Sequence, residues 1–181
     1  MSDIAAEVGV TAPLLLHYFG SKNELIIQAL MAAEEPYLIQ LREDFEAGAR
    51  PEKLLVRYVE DSVSPPKQEK RWWREASAVW INGWVTAMHD PTIAQAREDE
   101  DRRWRVLLTE IVERGQEAGA FRAEVDASAF VRTLFALLEG FLVQLVLEDS
   151  EVTEPFALEQ SMRYLAEQLD FDPYDFAHGS V

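Results

Sequence analysis

Three histidines (His17, His89 and His178) and 33 carboxylates are what this chain could bring to acid–base or metal chemistry, and it has no cysteine for thiolate chemistry or disulfides. The spacings that make such groups act together are missing: there is no HExxH pair, no glycine-rich phosphate loop and no nucleophile elbow. Adjacent acids such as Glu34-Glu35 and Asp99-Glu100 read as ordinary neighbours on helix surfaces, not as converging ligands. Neither catalysis, a metal nor a cofactor is expected. What remains is recognition, through a run of aromatic residues and through one pair of short helices near the start.

The aromatic run is "KRWWREASAVWINGWVTAMHD", in which Trp73, Trp80, Trp84 and Met88 recur at offsets of seven, four and four and so share one helical face. Tryptophans at helical spacing need no ligand to explain them, so a packed core is the first reading. The second is a pocket between helices, made by Trp80, Trp84 and His89 and joined by Trp104 or Phe135 from later helices. Indole and phenyl faces there would suit an apolar or cationic small molecule. His89 also fits the plainer role of a helix-end residue bonded to a carbonyl or to water. The stretch "AREDEDRRWR" reads as a solvated face, with Asp99–Arg103 and Glu98–Arg102 at the i,i+4 spacing that supports a helix.

Positioning these residues falls to helices. Nearly every apolar pattern has the helical period and no stretch alternates convincingly as a strand, so the fold class is all-α. Helices are expected over about 2–8, 12–18, 22–46, 51–63, 67–89, 91–118, 127–147 and 155–169. Ser21 and Glu24 have capping-box spacing, Asp90 precedes Pro91 as a cap, Pro51 and Pro155 take similar first-turn places, and Gly119 and "SPP" at 64–66 separate helices. Pro36 either kinks or divides the third helix. The helix "DASAFVRTLFALLEGFLVQLVLED" is too apolar for one face: Phe130, Leu134, Leu137, Phe141 and Leu145 make one stripe, and Phe135, Leu138, Leu142 and Val146 widen it. Arg132, Glu139 and Gln144 interrupt it too much for a comfortable membrane span. A second chain is the simplest cover, so 127–147 and 155–169 are expected to form a homodimer's four-helix bundle, with Gly140 allowing a close crossing. The tail 171–181 is acidic and aromatic. It either frays, the favoured reading, or lies over the body through Phe171, Tyr174 and Phe176.

Near the start, "DIAAEVGVTAPLLLHYFGSKNEL" places Ile4, Ala5, Val8, Val10, Leu15 and Phe19 where two short helices crossing at Gly9 would converge, a helix-turn-helix geometry. The charge argues against a polyanion partner: 33 acidic against 17 basic residues give a net −16. Through residue 24, Lys22 stands against Asp3, Glu7 and Glu24, or 1 minus 3, giving −2. Nucleic-acid binding therefore rests on a local patch, and should be weak and strongly salt-dependent. Asp3 and Glu7 also stand where a secretory signal needs basic residues, so a cytoplasmic location is expected.

"IAAEVGVT" followed by "HYFGSKNEL" resembles the TetR family of transcriptional regulators, and "GQEAGAFRAEVDASAF" is similar to that family's larger half. The resemblance implies a helix-turn-helix DNA-binding head with its connecting helix over 1–46, and a helical ligand-binding and dimerisation domain over 47–170. It implies a ligand-responsive repressor that reads a pseudo-palindromic double-stranded operator as a homodimer. By position, Thr11 resembles the residue that caps the recognition helix and touches phosphate, His17 and Tyr18 resemble backbone or base contacts, and Lys22 resembles the lysine that meets phosphate. Family members often carry a basic residue at Ala12, Gly at Pro13, Thr at Leu14 and Tyr at Leu16. Phosphate contacts are thereby lost, and Leu14 offers only apolar contact to a thymine methyl. Members also begin with a basic helix ahead of the part matching "DIAAEVGV", whose absence is expected to leave Ile4, Val8, Leu15 and Phe19 without cover. The alternative is a dimeric helical ligand-binding or interaction protein whose head no longer reads DNA.

Overall fold

The computed structural model describes residues 1–65 and 70–177, with Leu30 and Ala33 as backbone only. Among the described residues every regular element is helical: α1 (Ser2–Glu7), α2 (Ala12–Phe19), α3 (Lys22–Glu46), α4 (Pro51–Val63), α5 (Lys70–Ala87), α6 (Pro91–Glu117), α7 (Ala127–Val146), α8 (Glu154–Leu169) and a 3-10 turn at Pro173–Asp175. The expected start of α5 at 67 and His178 lie outside the described residues.

The helix starts follow from local chemistry. Asp90 accepts from the N–H groups of Thr92 (2.9 Å) and Ile93 (3.3 Å), with Pro91 at the first helical position. Asp126 accepts from Ala129 N–H at 2.9 Å and Thr153 from Phe156 N–H at 3.4 Å; the latter helix begins at Glu154, so Pro155 is its second residue. Ser21 takes the Glu24 N–H at 3.1 Å, but the Ser21 N–H goes to the Phe19 carbonyl, so only half of the capping box forms. Pro36 does not divide α3, which runs unbroken from Lys22 to Glu46.

The core lies between α4, α6, α7 and α8, closed by the later half of α3. Leu41, Leu55, Leu107, Leu108, Ile111, Leu134 and Leu165 are fully buried there. By length and composition α7 is apolar enough to cross a membrane, against the expectation from its polar residues, yet Phe130, Val131, Leu134, Leu138 and Phe141 belong to this core. Its other side is left partly open: Leu137, Leu142, Leu145 and Val146 are half-buried, Leu147 is exposed, and no atom comes within 4 Å of where a Cβ on Gly140 would stand. Gly140 therefore makes no close crossing with the described residues of its own chain.

The tail does not fray over 171–177, as favoured from sequence. Asp170 turns the chain through a left-handed backbone (φ 62°), Phe171 meets the Phe121 ring at 5.1 Å, and the Arg50 guanidinium lies 4.6 Å from the Phe176 ring centre. Pro173 is buried and Tyr174 is exposed. Aromatic burial outweighs the acidity that suggested a free end.

Candidate functional site

Two sites share one helix. The first is the head, where α1 ends in a glycine-capped turn. Gly9 (φ +71°) donates to the Ala6 carbonyl and Val10 to the Ala5 carbonyl, the paired bonds that close a helix through a left-handed residue. The chain then enters α2 at Thr11, whose hydroxyl accepts from Leu14 N–H at 3.4 Å. Gly20, also left-handed, ends α2; a Cβ there would fall 2.3 Å from a Glu24 carboxylate oxygen, so no other residue fits without moving that side chain. Ala5 and Leu15 are buried, and Ile4 and Phe19 half-buried, so of the four residues expected to lie uncovered only Val8 stands exposed.

Thr11, Leu14, His17, Tyr18 and Lys22 all lie at the surface. Tyr18 is 74% exposed and meets the His17 ring edge-on at 5.5 Å. Lys22 begins α3, where its ammonium adds to the positive end of the helix field. This is a surface that can meet a duplex, with one full positive charge to hold phosphate.

The second site is a cavity of about 640 Å³ between α5 and the core. Four of the five residues expected from sequence line it: Trp80, Trp84, Trp104 and Phe135. His89 does not. It sits exposed past the end of α5, its N–H given to the Thr86 carbonyl. Buried α5 residues are only Ser77 and Gly83, so the tryptophan face is a cavity wall and not a packed core; Met88, at the end of that stripe, is 75% exposed.

Sequence reasoning missed most of the lining. Tyr37 and Tyr58 complete an aromatic wall, with ring centres 5.6 Å from Tyr37 to Trp104, 5.5 Å from Trp104 to Tyr58 and 6.2 Å from Tyr58 to Phe135. Trp72 and Trp73 extend the opposite side. Between them stand Glu34, Asp61, Glu100, Asp101 and Glu139, and among the described residues no lysine, arginine or histidine is in the lining, although the Arg97 guanidinium lies 5.8 Å from the Trp84 ring centre. Of the four acids read as helix-surface neighbours, Glu34 and Glu100 face the cavity while Glu35 and Asp99 do not, and no group among the described residues could hold a metal ion.

Arginines sit behind these acids instead of among them. Asp101 pairs with Arg97 at 3.0 Å and Arg105 at 3.8 Å, and Glu139 with Arg97 at 3.7 Å. Arg103 does not take Asp99, the expected partner; it forks onto both oxygens of Glu35 at 2.7 Å and reaches Glu100 at 3.0 Å. A planar guanidinium gains more from that two-point fit than from an exposed carboxylate one turn away. Glu98 and Arg102 do approach, at 3.8 Å.

Glu34 accepts the Trp80 indole N–H at 2.6 Å. Burial pushes its carboxyl up to about 7 against the pull of that hydrogen bond, with the charges of Glu100 and Asp101 adding to the rise. Burial likewise raises Asp101 against Arg97 and Arg105, and raises Glu139 with help from Asp101. The Tyr58 and Tyr37 phenols are pushed up chiefly by burial, with Glu34 and Asp61 the nearest contributing charges. One Glu100 carboxylate oxygen is buried without a hydrogen-bond partner, and the Tyr37 hydroxyl faces Asp61. Ring faces beside several carboxylates can hold a cation that donates little and stacks well.

Comparison with known proteins agrees with this geometry. Residues 51–170 match the family of the C-terminal domain of BetI-type transcriptional repressors, and residues 1–29 match the bacterial regulatory proteins of the tetR family. The chain is 25% identical over 169 residues to the transcriptional regulator BetI of Proteus mirabilis (92% of this chain, 78% of that one). It is 27% identical over 185 residues to BetI of Agrobacterium fabrum (99% and 80%). Its fold is similar to a Saccharomonospora viridis regulator solved in complex with choline, at a TM-score of 0.74, 23% identity and coverage of 92% and 84%. A Haloarcula marismortui TetR regulator gives 0.69 at 21% identity, covering 92% and 85%. With a head that turns His17 and Tyr18 outward and a body matched along its length, the chain belongs to the TetR family of ligand-responsive transcriptional regulators, among its BetI-type repressors, and is not an enzyme.

Proposed function

We propose that this regulator is a cytoplasmic homodimer that releases its operator when a small methylated-ammonium cation of the choline class fills the cavity. The observation that carries this is the lining, which among the described residues holds five carboxylates and eight aromatic rings and no basic side chain. A neutral apolar ligand would leave Glu34, which among the described residues has only the neutral Trp80 donor, desolvated with no opposite charge, which is costly in a cavity of this kind. A quaternary ammonium answers Glu34 by charge and the rings by cation–π contact, at about 0.5–2 kcal/mol for each well-placed ring. The choline-bound relative and the BetI-named relatives support the same chemistry.

The head, 1–46, reads DNA through Thr11, Leu14, His17, Tyr18 and Lys22, and the body, 47–170, holds the effector at Trp80, Trp84, Trp104 and Phe135. Dimerisation through 127–147 and 155–169 would place two heads about a twofold axis, which suits a pseudo-palindromic operator. The open side of α7 and the exposed Phe156 on α8 support that pairing. Helix α3 joins the two sites: Lys22 opens it at the head, and Glu34, Pro36 and Tyr37 reach the cavity, about 18 Å further at 1.5 Å per residue.

Calorimetry with choline and its neutral carbon analogue 3,3-dimethyl-1-butanol tests the cation. Choline should bind at least tenfold more tightly, and glycine betaine, whose carboxylate meets the five acids, should bind less well than choline. Equal binding of choline and the neutral alcohol removes the cation from the account.

A further inference from the structure

Three of the cavity's acids already have arginine partners: Glu100 has Arg103, Asp101 has Arg97 and Arg105, and Glu139 shares Arg97. Glu34 differs. Among the described residues its hydrogen-bond partner is the Trp80 indole N–H, a neutral donor, and it stands between the α5 tryptophans and the acids of α6. We propose that Glu34 is the effector's counter-ion, and that it exchanges a proton for the cation as the effector enters. This rests on the cation reading above and names the residue that makes the site selective for charge.

The surroundings favour that exchange at Glu34 over its neighbours. On its own helix, Glu35 is held by Arg103 and Tyr37 faces the same cavity. Across from it α4 supplies Tyr58 and Asp61, α6 supplies Glu100 and Asp101, and α7 supplies Glu139, while α5 contributes indoles and no charge to the lining. The α6 arginines that meet the cavity's acids, Arg97, Arg103 and Arg105, hold two carboxylates each. Burial, with the charges of Glu100 and Asp101 adding to it, holds the Glu34 carboxyl of the free protein up to about 7. An ammonium lodged beside it reverses the balance and favours the ionised form. The carboxyl O–H bond breaks, the electron pair stays on the carboxylate, and the proton leaves to buffer. No covalent bond to the effector forms.

Affinity then follows the ionised fraction of the empty site, which for a group titrating near 7 makes binding about tenfold tighter at pH 8 than at pH 6. Calorimetric titration of the full chain with choline at pH 6, 7 and 8, in buffer pairs of different ionisation heat, reads both quantities. Release of nearly one proton per choline at pH 6, fading by pH 8, is expected. Glu34→Gln keeps an oxygen for the Trp80 N–H, and should bind choline with little pH dependence and little proton release. Should that variant fail to fold, the wild-type profile still decides. Choline binding to the wild type at constant affinity without proton release overturns the assignment of Glu34 alone, as does an unchanged profile in folded Glu34→Gln. No choline binding at any pH removes the cation reading beneath it as well.

Discussion

Replacing Glu34 by glutamine should make the empty protein more stable at alkaline pH and leave it unchanged in acid. The unfolded chain ionises this carboxyl near 4.5, and the fold delays it to about 7. Below 4.5 the group is neutral in both states and favours neither. As pH rises from 4.5 to 7 the unfolded chain gives up the proton while the folded protein keeps it, so stability drains away through that window and the loss is complete above 7. The interval is worth about 3 kcal/mol at about 1.4 kcal/mol per pH unit. Because the cavity opens to water and Glu34 is only part-buried, about 2 kcal/mol is the working figure. For a chain of this size that is roughly 4–8 °C in Tm. Asp101 and Glu139 titrate high as well, but they are present in both proteins, and relief of their repulsion by the neutral glutamine acts in the same direction. Thermal melts followed by circular dichroism at one protein concentration, from pH 4.5 to 8.5, are sufficient. The two curves should coincide near pH 4.5 and separate by pH 8 with the variant above. A gap of the same size at every pH, or a variant that melts lower at pH 8, refutes the argument that the cavity stores the cost of an unanswered charge.

Three further outcomes follow from other parts of the structure. Gly115→Ala puts a Cβ 2.1 Å from the Phe121 ring and should cost about 1–3 kcal/mol in urea unfolding, together with the Phe121–Phe171 contact that seats the tail. Lys22→Gln should weaken binding to DNA from upstream of its own gene and lower the slope of log K against log salt by about one, whereas tight wild-type binding indifferent to salt would contradict so thin a set of phosphate contacts. Light scattering at micromolar concentration should find a dimer, and Leu147→Glu, at a site 73% exposed in the single chain, should yield folded monomer.

The architecture was legible because its signals are local. Caps at Thr11, Asp90, Asp126 and Thr153 act within three residues of themselves, and the apolar period of α7 needs no partner to be seen. The cavity was half legible. Its tryptophans carry a periodic signal, but its acids resemble any solvated helix face until the helices are packed. One clue was available: each acid lies about one turn from a lining aromatic, as Glu34 does from Tyr37, Asp61 from Tyr58, Glu100 and Asp101 from Trp104, and Glu139 from Phe135. Placing Trp104 and Phe135 in a pocket should therefore have carried those acids in with them. His89 went the other way because α5 stops at Ala87, two residues before the expected end, which turns the imidazole out to solvent.

How an ion in the body reaches the head is a question about α3. Its early half packs on α5, where Ile27 lies 3.6 Å from where a Cβ on Gly83 would stand and Glu34 takes the Trp80 N–H. Its later half is sunk in the core at Leu38, Leu41 and Phe45. At the junction Glu35 is clamped to α6 by Arg103, and Pro36 withholds the N–H that would have tied the preceding turn, so the helix is weakest where its two sets of partners change. On the proposed reading, a cation that draws Glu34 off the indole would loosen the early half from α5 and leave the core in place, which would supply the two arrangements that any coupling between sites requires. The energy needed is modest. Typical coupling of about 1–3 kcal/mol alters affinity by roughly 5–150-fold, and a head with Lys22 as its one lysine against Asp3, Glu7 and Glu24 has little DNA affinity to spare. The sparse positive charge that first argued against DNA reading is then what lets a small ion end it.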